Sequence, residues 1–537
     1  MSSIMSLRKY YHTIKYLKIE QLYFQTYYKL RTKLQKVLGR KEKYTYYKEG
    51  NHISFFPFPE KTESYKGNDT FEFLNLKHRF CGAWDDRELG DLWRYNLNYM
   101  DFILQPSMTV TEGWEWIERF IDDISCNKIA ADPYPISLRG INWIKFISLH
   151  SDELTDTKLK KIDTYLYSQY KILSKHTERH LLANHYLENG FSLLFAAVYF
   201  QDNVFWKKAK YIVESQLREQ ILYDGAHYEL SPMYHCIILE RLLDCCNLLA
   251  NVDDSLFVGL ENLRNFLRQN AIKMLSWLDA IVVANDCIPL LNDSAYGVAL
   301  LPSELREYAK GLGLEWNSGV LGECGYRHIV RSHYEAILDM APLGVSYNLG
   351  HAHADSATFL LWANGRELLV DTGTSTYNAG KQRDYERSTR AHNAVVIDGE
   401  NSSRVWGAFR CAQRAKTRIL KDGPECFSLC HDGYTAKGVG CRRSFLCKND
   451  VMEIIDVVEG NVLSVAEAYF HLSPDLKIIT VGNDCVVTDR AVFIFKGQVL
   501  IKLMKEKIAN EYNVLQPIIC IQVTFSDRLH TIIGEFK

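Results

Sequence analysis

The hydrophobic pattern of this chain changes once, from helical to strand-like, and this change constrains the fold more than any other feature. Between about residues 71 and 308, apolar residues recur at helical spacing, for example over 112–123, 143–150, 156–174, 180–200, 203–220 and 232–250. After about residue 327, turn residues separate short β-prone runs at 336–340, 357–363, 367–370, 394–397, 452–458, 466–472, 492–495 and 518–523. The pattern predicts a multidomain α+β fold, in which an incomplete (α/α) toroid is followed by an antiparallel β-sandwich.

A chain of 537 residues is too long for one compact core, so we expect three parts. Residues 1–69 form a leader and connector, 70–320 the toroid, and 321–537 the sandwich. Within the leader, residues 7–37 carry Lys and Arg between helically spaced apolar residues, which predicts one or two amphipathic helices. Such a helix can lie on a membrane surface or pack on the main domain, and we favour the packed arrangement.

Composition and charge exclude several classes of protein. The formal net charge of −2 argues against a broad basic surface for nucleic acid. No apolar run is long enough to span a bilayer, and the first 38 residues do not resemble a signal peptide. We therefore expect a cytoplasmic protein, with peripheral membrane association through the leader helix as the alternative. The fourteen scattered cysteines are expected to be free thiols, and no organic cofactor is expected.

Three polar segments stand out at the ends of predicted elements, where a rigid scaffold can present functional groups. They are Ala-Asn-His-Tyr-Leu-Glu-Asn-Gly at 183–190, Asp-Gly-Ala-His-Tyr-Glu-Leu-Ser-Pro-Met-Tyr-His at 224–235 and Asn-Leu-Gly-His-Ala-His-Ala-Asp at 348–355. Together they supply amide, imidazole, phenol and carboxylate groups, a set that suits acid–base chemistry on a sugar.

Elimination across a 4-linked uronide needs a donor to the carboxylate, a base for the C5 proton and an acid for the departing O4. Asn184 is our candidate for the carboxylate donor. Tyr234 and either His185 or His351 would divide the roles of base and acid. Each of these residues also has a structural interpretation, because a single His or Tyr is more often structural than catalytic.

Further polar residues suit the binding of substrate or metal. Glu188, Tyr228 and Glu229 in the first two segments, and the arginines Arg139 and Arg387, are predicted to contact an acidic substrate, although ordinary surface charge explains most arginines. His353, Asp371 and His392 are ligand types that suit zinc, but their spacing alone does not bring them together. A strand-end turn at Asp371 and a hydrogen-bonded His392 are the alternative interpretations.

Four stretches resemble the heparinase II/III-like family of polysaccharide lyases: 184–190, 224–235, 350–373 and 389–399. The resemblance runs from about residue 90 to 475, and Phe-His-Leu-Ser-Pro-Asp at 470–475 looks like another element of the family. It implies that Asn184 binds the uronate carboxylate, that Tyr234 is base or acid, and that His351 completes the site, with His185 assisting in some members. It also implies a structural metal, zinc or calcium, held by the residues at 353, 371 and 392.

The resulting hypothesis is a lyase that cleaves a uronic-acid-containing glycan by β-elimination and leaves a 4,5-unsaturated end. The glycan would be heparin-like, alginate-like or a bacterial surface polysaccharide. The leader resembles those of family members associated with surface-polysaccharide production, which favours trimming of a glycan being made over nutrient scavenging. Two alternatives remain: a toroidal hydrolase using Glu188 and Glu229 as opposed carboxylates, and a non-catalytic glycan-binding protein.

Overall fold

Helices fill the first part of the chain and strands the second, which confirms the predicted fold class. A computed structural model describes residues 10–39, 42–460 and 464–537. The helices are α1 (Ile19–Val37), α2 (Asp91–Tyr99), α3 (Val110–Asp123), α4 (Pro133–Leu149), α5 (Asp156–Lys175), α6 (Ala183–Tyr199), α7 (Asn203–Gln220), α8 (Pro232–Ala250), α9 (Leu260–Ile281), α10 (Pro302–Gly311) and α11 (Lys381–Glu386). The change from helices to strands falls between Gly311 and Tyr326.

Local signals explain where several helices begin. The Thr109 hydroxyl accepts a hydrogen bond from the Glu112 amide, and the Glu112 carboxylate accepts one from the Thr109 amide, which together form a capping box before α3. Ser231 caps α8 by accepting from the Tyr234 amide, and Pro232 occupies the first turn, where its missing amide hydrogen costs nothing. The second cap places Tyr234 in the first turn of a rigid helix.

The helices pack as successive antiparallel pairs around one apolar core. Helix α4 packs against α5 and α6, α6 against α7 and α8, and α8 against α9 and α10. Helices α4, α6 and α8 are apolar on nearly all sides, which is typical of the buried inner helices of such an array. The N-terminal ends of α6 and α8 carry two of the three polar segments that the sequence singles out.

Most of the strands form the two layers of the sandwich. The strands are β1 (Thr70–Phe73), β2 (Leu76–Arg79), β3 (Tyr326–Val330), β4 (Tyr334–Asp339), β5 (Phe359–Ala363), β6 (Arg366–Leu369), β7 (Val395–Ile397), β8 (Val405–Trp406), β9 (Arg410–Cys411), β10 (Thr417–Asp422), β11 (Cys426–His431), β12 (Val439–Cys447), β13 (Val451–Gly460), β14 (Ala466–His471), β15 (Ile478–Val481), β16 (Cys485–Thr488), β17 (Val492–Lys496), β18 (Leu500–Glu511), β19 (Val514–Phe525) and β20 (Arg528–Gly534). The pairs β1–β2 and β8–β9 are separate two-stranded sheets.

One antiparallel sheet has the order β10-β11-β12-β13-β20-β17-β16-β15, and it faces two four-stranded sheets, β18-β19-β14-β7 and β3-β4-β5-β6. The four-stranded sheets are bridged at Leu369 and Leu472. Apolar residues of all three sheets form one core, since alternate positions along each strand point inward. A separate apolar cluster joins the two domains, with Trp277 and Ile281 of α9 against Ile337 and Trp362 of the sandwich.

The leader crosses from the sandwich to the toroid. Helix α1 is attached to the toroid by Tyr28, whose ring centroid lies 4.4 Å from that of His176, and by ion pairs of Lys18 with Glu219 and of Glu20 with Arg179. Residues 42–64 then run over the toroid without regular secondary structure. Across the described ranges, no helix combines the length and the apolar character that a bilayer crossing requires.

Candidate active site

Strained backbone positions lie beside three of the site residues. Leu182 and Ala183 have φ values of 60° and 51° immediately before Asn184, Leu230 has 57° after Glu229, and Asn292 has 55° before Asp293. A non-glycine residue in this left-handed region costs about 1–2 kcal/mol, so the surrounding packing must hold it. The strain fixes the direction in which each neighbouring side chain leaves the backbone.

The first turn of α6 presents an amide and an imidazole. Asn184 Nδ2 donates to Glu229 Oε2 at 3.0 Å, which orients the buried amide. His185 Nδ1 lies 3.1 Å from Glu178 Oε1, and its ring centroid is 4.6 Å from that of Tyr134. Burial lowers the pKa of His185, but the Glu178 carboxylate outweighs it and the net pKa is raised. The His185 side chain is 37% exposed, so it faces open space.

A phenol and a second imidazole meet where the two domains join. The ring centroids of Tyr234 and His351 are 4.0 Å apart with planes inclined by 32°. The Tyr234 hydroxyl lies 3.2 Å from that of Tyr377, in the loop before α11. Burial raises the pKa of Tyr234 well above its usual value, so this phenol keeps its proton at neutral pH.

The Asp293 carboxylate connects the other residues at this junction. Its two carboxylate oxygens accept from Arg383 Nη1 and Nη2 at 2.5 and 2.6 Å, and they also lie 2.9 Å from His351 Nδ1 and 2.8 Å from His353 Nε2. Burial raises the pKa of Asp293, but Arg383 and the two histidines outweigh it and hold that pKa well below the usual value. The carboxylate is therefore charged and can only accept hydrogen bonds. We call Tyr234, His351, Asp293 and Arg383 the anchored centre.

One chain of contacts connects the predicted catalytic residues. Asn184 contacts Glu229, Glu229 Oε2 lies 3.8 Å from His351 Nε2, and His351 stacks on Tyr234. His185 follows Asn184 at the same helix end. The structure thus brings residues from both domains around one location, although 167 positions separate Asn184 from His351 in the chain.

Arg139 and Arg387, expected to contact substrate, lie inside the protein instead, each with no exposed surface. Arg139 bonds Gln169 and the carbonyls of Asn98 and Ala130. Arg387 bonds the carbonyls of Leu349, Ala352, Gly407, Ala408 and Arg410. Because these donors are used internally, the geometry does not support substrate contact by either residue, and Arg387 instead fixes the segment that carries His351.

The remaining predicted contact residues are also buried. Glu188 lies beside Arg241, with 3.3 Å between Oε1 and Nε, and burial raises its pKa to about 7. The Tyr228 hydroxyl is 3.0 Å from that of Tyr347. Of the three, Glu229 is the one in direct contact with the residues that line the centre.

The predicted metal ligands form a buried cluster behind the centre. His392 Nδ1 lies 2.8 Å from Asp371 Oδ2, and the His353 and His392 ring centroids are 5.3 Å apart. Within the described ranges, His353 Nδ1, His392 Nε2 and Asp355 Oδ2 have no hydrogen-bond partner. The ligand atoms of the three predicted residues do not all lie within 4.8 Å of one another. Among the described residues, the group whose ligand atoms are that close together is the partly exposed set His78, Cys81 and Asp86.

The sequence analysis named none of Asp293, Tyr377, Glu178, Tyr134 and Arg383 as a site residue. Asn292-Asp293-Ser294 follows the apolar pair Leu290-Leu291, which is the one local signal that a polar group ends a buried run. The others lie in segments whose composition is ordinary. Their roles depend on long-range contacts that spacing does not reveal.

These features define a class of protein: a helical toroid joined to a β-sandwich, with a polar centre built from both at their junction. The model for "Heparinase II/III N-terminus" matches residues 136–312, and the model for "Heparinase II/III-like, C-terminal" matches residues 315–522. The chain belongs to the heparinase II/III-like family.

Curated relatives and solved structures agree with this assignment. Heparin-sulfate lyase from Pedobacter heparinus is 24% identical over 266 residues, which is 42% of this chain and 39% of that protein. Heparin-sulfate lyase from Bacteroides stercoris is 22% identical over 313 residues, 52% of this chain and 44% of that protein. The chain thus spans less than half the length of these relatives in each match.

The solved structures extend the likeness in fold over both domains. A crystal structure of heparinase III superposes with a TM-score of 0.63 at 14% identity, over 84% of this chain and 79% of that one. A mutant heparan sulfate lyase from Pedobacter heparinus gives a TM-score of 0.60 at 17% identity, over 85% and 78%.

Proposed function

We propose that this protein is a polysaccharide lyase that cleaves a uronic-acid-containing glycan by β-elimination and leaves a 4,5-unsaturated uronate end. The observation that carries the proposal is the continuous contact from Asn184 through Glu229 and His351 to Tyr234. These residues supply an amide, an imidazole and a phenol around one location, as the reaction requires. Family membership and the heparin-sulfate lyase relatives support the same reaction class.

His351 is the proposed base. Asp293 is charged and only accepts, so the hydrogen bond at 2.9 Å requires the proton of neutral His351 to reside on Nδ1. The lone pair on Nε2 is then free to remove the C5 proton. Asp293 also stabilises the imidazolium that forms, in the way that a buried carboxylate assists histidine in other acid–base enzymes.

Tyr234 is the proposed acid. Its raised pKa keeps the hydroxyl protonated, so it can donate a hydrogen bond to the glycosidic O4 before the C–O bond breaks. The Tyr377 hydroxyl at 3.2 Å holds that group in position. Stacking of the Tyr234 and His351 rings keeps base and acid on the same side of the sugar.

Asn184 is the proposed donor to the uronate carboxylate. One hydrogen of its amide is used by Glu229, which leaves the second for substrate. As the C5 proton leaves, negative charge accumulates on that carboxylate, and a fixed donor stabilises the enolate-like intermediate more than the ground state.

A screen of uronic-acid polysaccharides tests the proposal, with turnover followed by the ultraviolet absorbance of the unsaturated product. We expect signal with at least one heparin-like, alginate-like or bacterial surface polysaccharide, and a loss of about 10²–10⁴-fold for Tyr234→Phe. The matched control is Tyr223→Phe, at a side chain that is 91% exposed. Reducing ends without the new double bond would instead indicate hydrolysis, and wild-type turnover by Tyr234→Phe would refute the role of the phenol.

A structural divalent metal held by His353, Asp371 and His392 is a further part of the proposal. The unpartnered His353 Nδ1 and His392 Nε2 fit this role, because a buried imidazole nitrogen without a donor is otherwise costly. His353 Nε2 bonds Asp293, so a bound ion would brace the anchored centre from behind. Elemental analysis should find about one ion per chain, lost in His392→Ala and retained in the exposed control His333→Ala. The metal site would be ruled out if the purified protein contained no metal and chelator did not change its unfolding midpoint.

Peripheral membrane association through α1 is also proposed. The outward face of the helix exposes an apolar stripe, with Ile19 at 86%, Tyr23 at 61%, Leu34 at 59% and Val37 at 82%. Exposed lysines flank this stripe, a combination that favours the surface of an anionic bilayer. The protein should sediment with vesicles containing phosphatidylserine, and Leu34→Glu with Val37→Glu should prevent it. The control is Val258→Glu with Val320→Glu; equal binding by both variants would exclude the helix as the anchor.

A further inference from the structure

A pocket of about 860 Å³ lies between the leader helix and the toroid. Helix α1 forms one wall, and the N-terminal end of α4 with the segment before α6 forms the other. The lining residues are Gln25, Thr26, Tyr28, Lys29, Leu30, Thr32, Lys33, Lys36, Tyr95, Asp132, Pro133, Tyr134, Pro135, His176, Glu178 and His180. We call this cavity the leader pocket. Its volume is sufficient for one or two sugar rings.

The leader pocket borders the predicted catalytic residues. Two of its lining residues, Tyr134 and Glu178, are those that contact His185, at 4.6 Å between ring centroids and 3.1 Å between Oε1 and Nδ1. Burial raises the pKa of Tyr134 well above its usual value, and the Glu188 carboxylate raises it further. His185 follows Asn184 at the same helix end, so the pocket lies beside the proposed carboxylate donor. A glycan bound at the centre can therefore extend past His185 into the pocket.

Charge in the pocket is arranged unequally between the two walls. Lys29, Lys33 and Lys36 lie at helical spacing on one side of α1 and are exposed. In the part of the chain that the structure describes, their ammonium groups make no ion pair or hydrogen bond. No described acidic side chain therefore pairs directly with this positive wall.

The acidic groups of the opposite wall are already engaged. Asp132 accepts from the Tyr95 hydroxyl at 3.2 Å, and burial raises its pKa. Glu178 Oε2 accepts from Asn189 Nδ2 at 3.1 Å while Oε1 contacts His185. The histidines add no charge at neutral pH, because burial lowers the pKa of both His176 and His180. The three lysines thus outnumber the two carboxylates and, unlike them, are not bonded to other described residues.

We infer that the leader pocket is a substrate subsite for an acidic sugar next to the uronide that is cleaved, with Lys29, Lys33 and Lys36 binding its carboxylate or sulfate groups. Tyr28, Tyr95 and Tyr134 offer aromatic rings to the sugar faces, an arrangement typical of pockets that combine apolar walls with a few charged groups. The inference rests on the proposed lyase function for the ligand class. It assigns the leader helix a part in substrate recognition as well as in attachment.

The test compares two triple variants of the full chain that lose the same charge. Lys29→Ala with Lys33→Ala and Lys36→Ala removes the positive wall, whereas Lys207→Ala with Lys310→Ala and Lys421→Ala removes three exposed lysines elsewhere. Binding of a heparan sulfate and of an alginate is measured by titration calorimetry at two salt concentrations, with amylose as the uncharged control. We expect the leader variant to bind the preferred acidic glycan about tenfold more weakly, with reduced salt dependence, and the control variant to match wild type.

A Lys→Arg triple at the same positions keeps the charge and should keep the affinity. In turnover, the leader variant should raise KM about tenfold and leave kcat unchanged, because these residues do not touch the reacting atoms. Equal affinity of the leader and control variants, or no acidic glycan bound by wild type, would overturn the subsite. Binding that depends on the three lysines without any unsaturated product would support the subsite while refuting the lyase function, so the two failures are distinguishable.

Discussion

The anchored centre and the leader pocket differ in how their charged groups are held. In the anchored centre, Asp293 is fully buried and contacts Arg383, His351 and His353 at 2.9 Å or less. In the leader pocket, the lysines are exposed, and within the described ranges their ammonium groups make no ion pair or hydrogen bond. The comparison teaches that this molecule fixes the groups proposed for chemistry before substrate arrives and leaves the groups proposed for binding to be ordered by substrate.

The largest expected difference between the two regions is in turnover. His351→Ala removes the proposed base and should lower kcat by about 10²–10⁴-fold, whereas His185→Ala, at the pocket border, should cost about tenfold, in KM more than kcat. Initial rates of ultraviolet absorbance over a range of glycan concentrations measure both. The control is His333→Ala, at a side chain that is 53% exposed. If His185→Ala proves the more damaging, the base is on the pocket side and our assignment is reversed.

The Asn184→Ala variant tests whether the Asn184 amide acts in the chemical step, as the residues of the anchored centre are proposed to do. Asn184→Ala removes the amide that Glu229 orients, and we expect kcat to fall by about 10²–10³-fold, as for loss of an oxyanion donor. Asn317→Ala, at an exposed position, is the matched control. A change confined to KM would show instead that the amide binds ground state and transition state equally.

The buried ion pair of the anchored centre should dominate stability. Asp293→Asn leaves Arg383 buried without its partner, and we expect the free energy of unfolding to fall by about 3–5 kcal/mol, measured by urea denaturation. Glu118→Gln removes an exposed partner of Lys161 and should cost less than about 1 kcal/mol. Comparable losses in the two variants would mean that the centre is not as rigidly held as its contacts indicate.

Acid should affect different buried histidines of the molecule in opposite directions. Burial lowers the pKa of His227 to about 4 and of His235 to about 3, so both stay neutral in the folded state. Their contribution to stability is complete above the unfolded value near 6.5 and is lost as pH falls toward 4, by about 1.4 kcal/mol per pH unit for each. The raised pKa of His185 has the opposite effect on stability. The contribution of this residue is complete below its unfolded-state pKa and is lost as pH rises through its folded-state pKa.

The free energy of unfolding, measured at pH 7, 6 and 5, checks the balance between the histidines with lowered and raised pKa values. We expect stability to decline on acidification, because the histidines whose pKa is lowered outnumber those whose pKa is raised. His227→Gln should reduce the slope by about 1.4 kcal/mol per pH unit, and His333→Gln, at an exposed position, should leave it unchanged. A wild-type stability that is constant across this range would contradict the neutral state of the buried histidines.

Much of the fold follows from the sequence because local signals and periodicity agree. The run at 203–220 coincides with α7, since Asp202 caps it by accepting from the Val204 and Phe205 amides. The strand runs at 357–363 and 466–472 overlap β5 and β14, whose residues are almost all buried. Periodicity missed the edge strand β10, because its residues are mostly exposed and polar.

Prediction of the site from sequence was less complete. Asn184, Tyr234 and His351 stand in polar segments that interrupt apolar ones, and the structure places them around one location. Arg139 and Arg387 were expected to contact an acidic substrate because arginine forms paired hydrogen bonds with such groups, yet their donors bind carbonyls that only the folded chain brings within reach.

By itself, the amino-acid order determined the helical and strand-rich halves, the helix ends and the identity of the polar segments, because these depend on residues a few positions apart. Only the tertiary structure decided that Asp293 would join Arg383 to His351, that two arginines would be buried, and that the leader would form the wall of a pocket beside His185. Those outcomes depend on contacts between residues that are distant in the chain, and local propensity carries no information about such contacts.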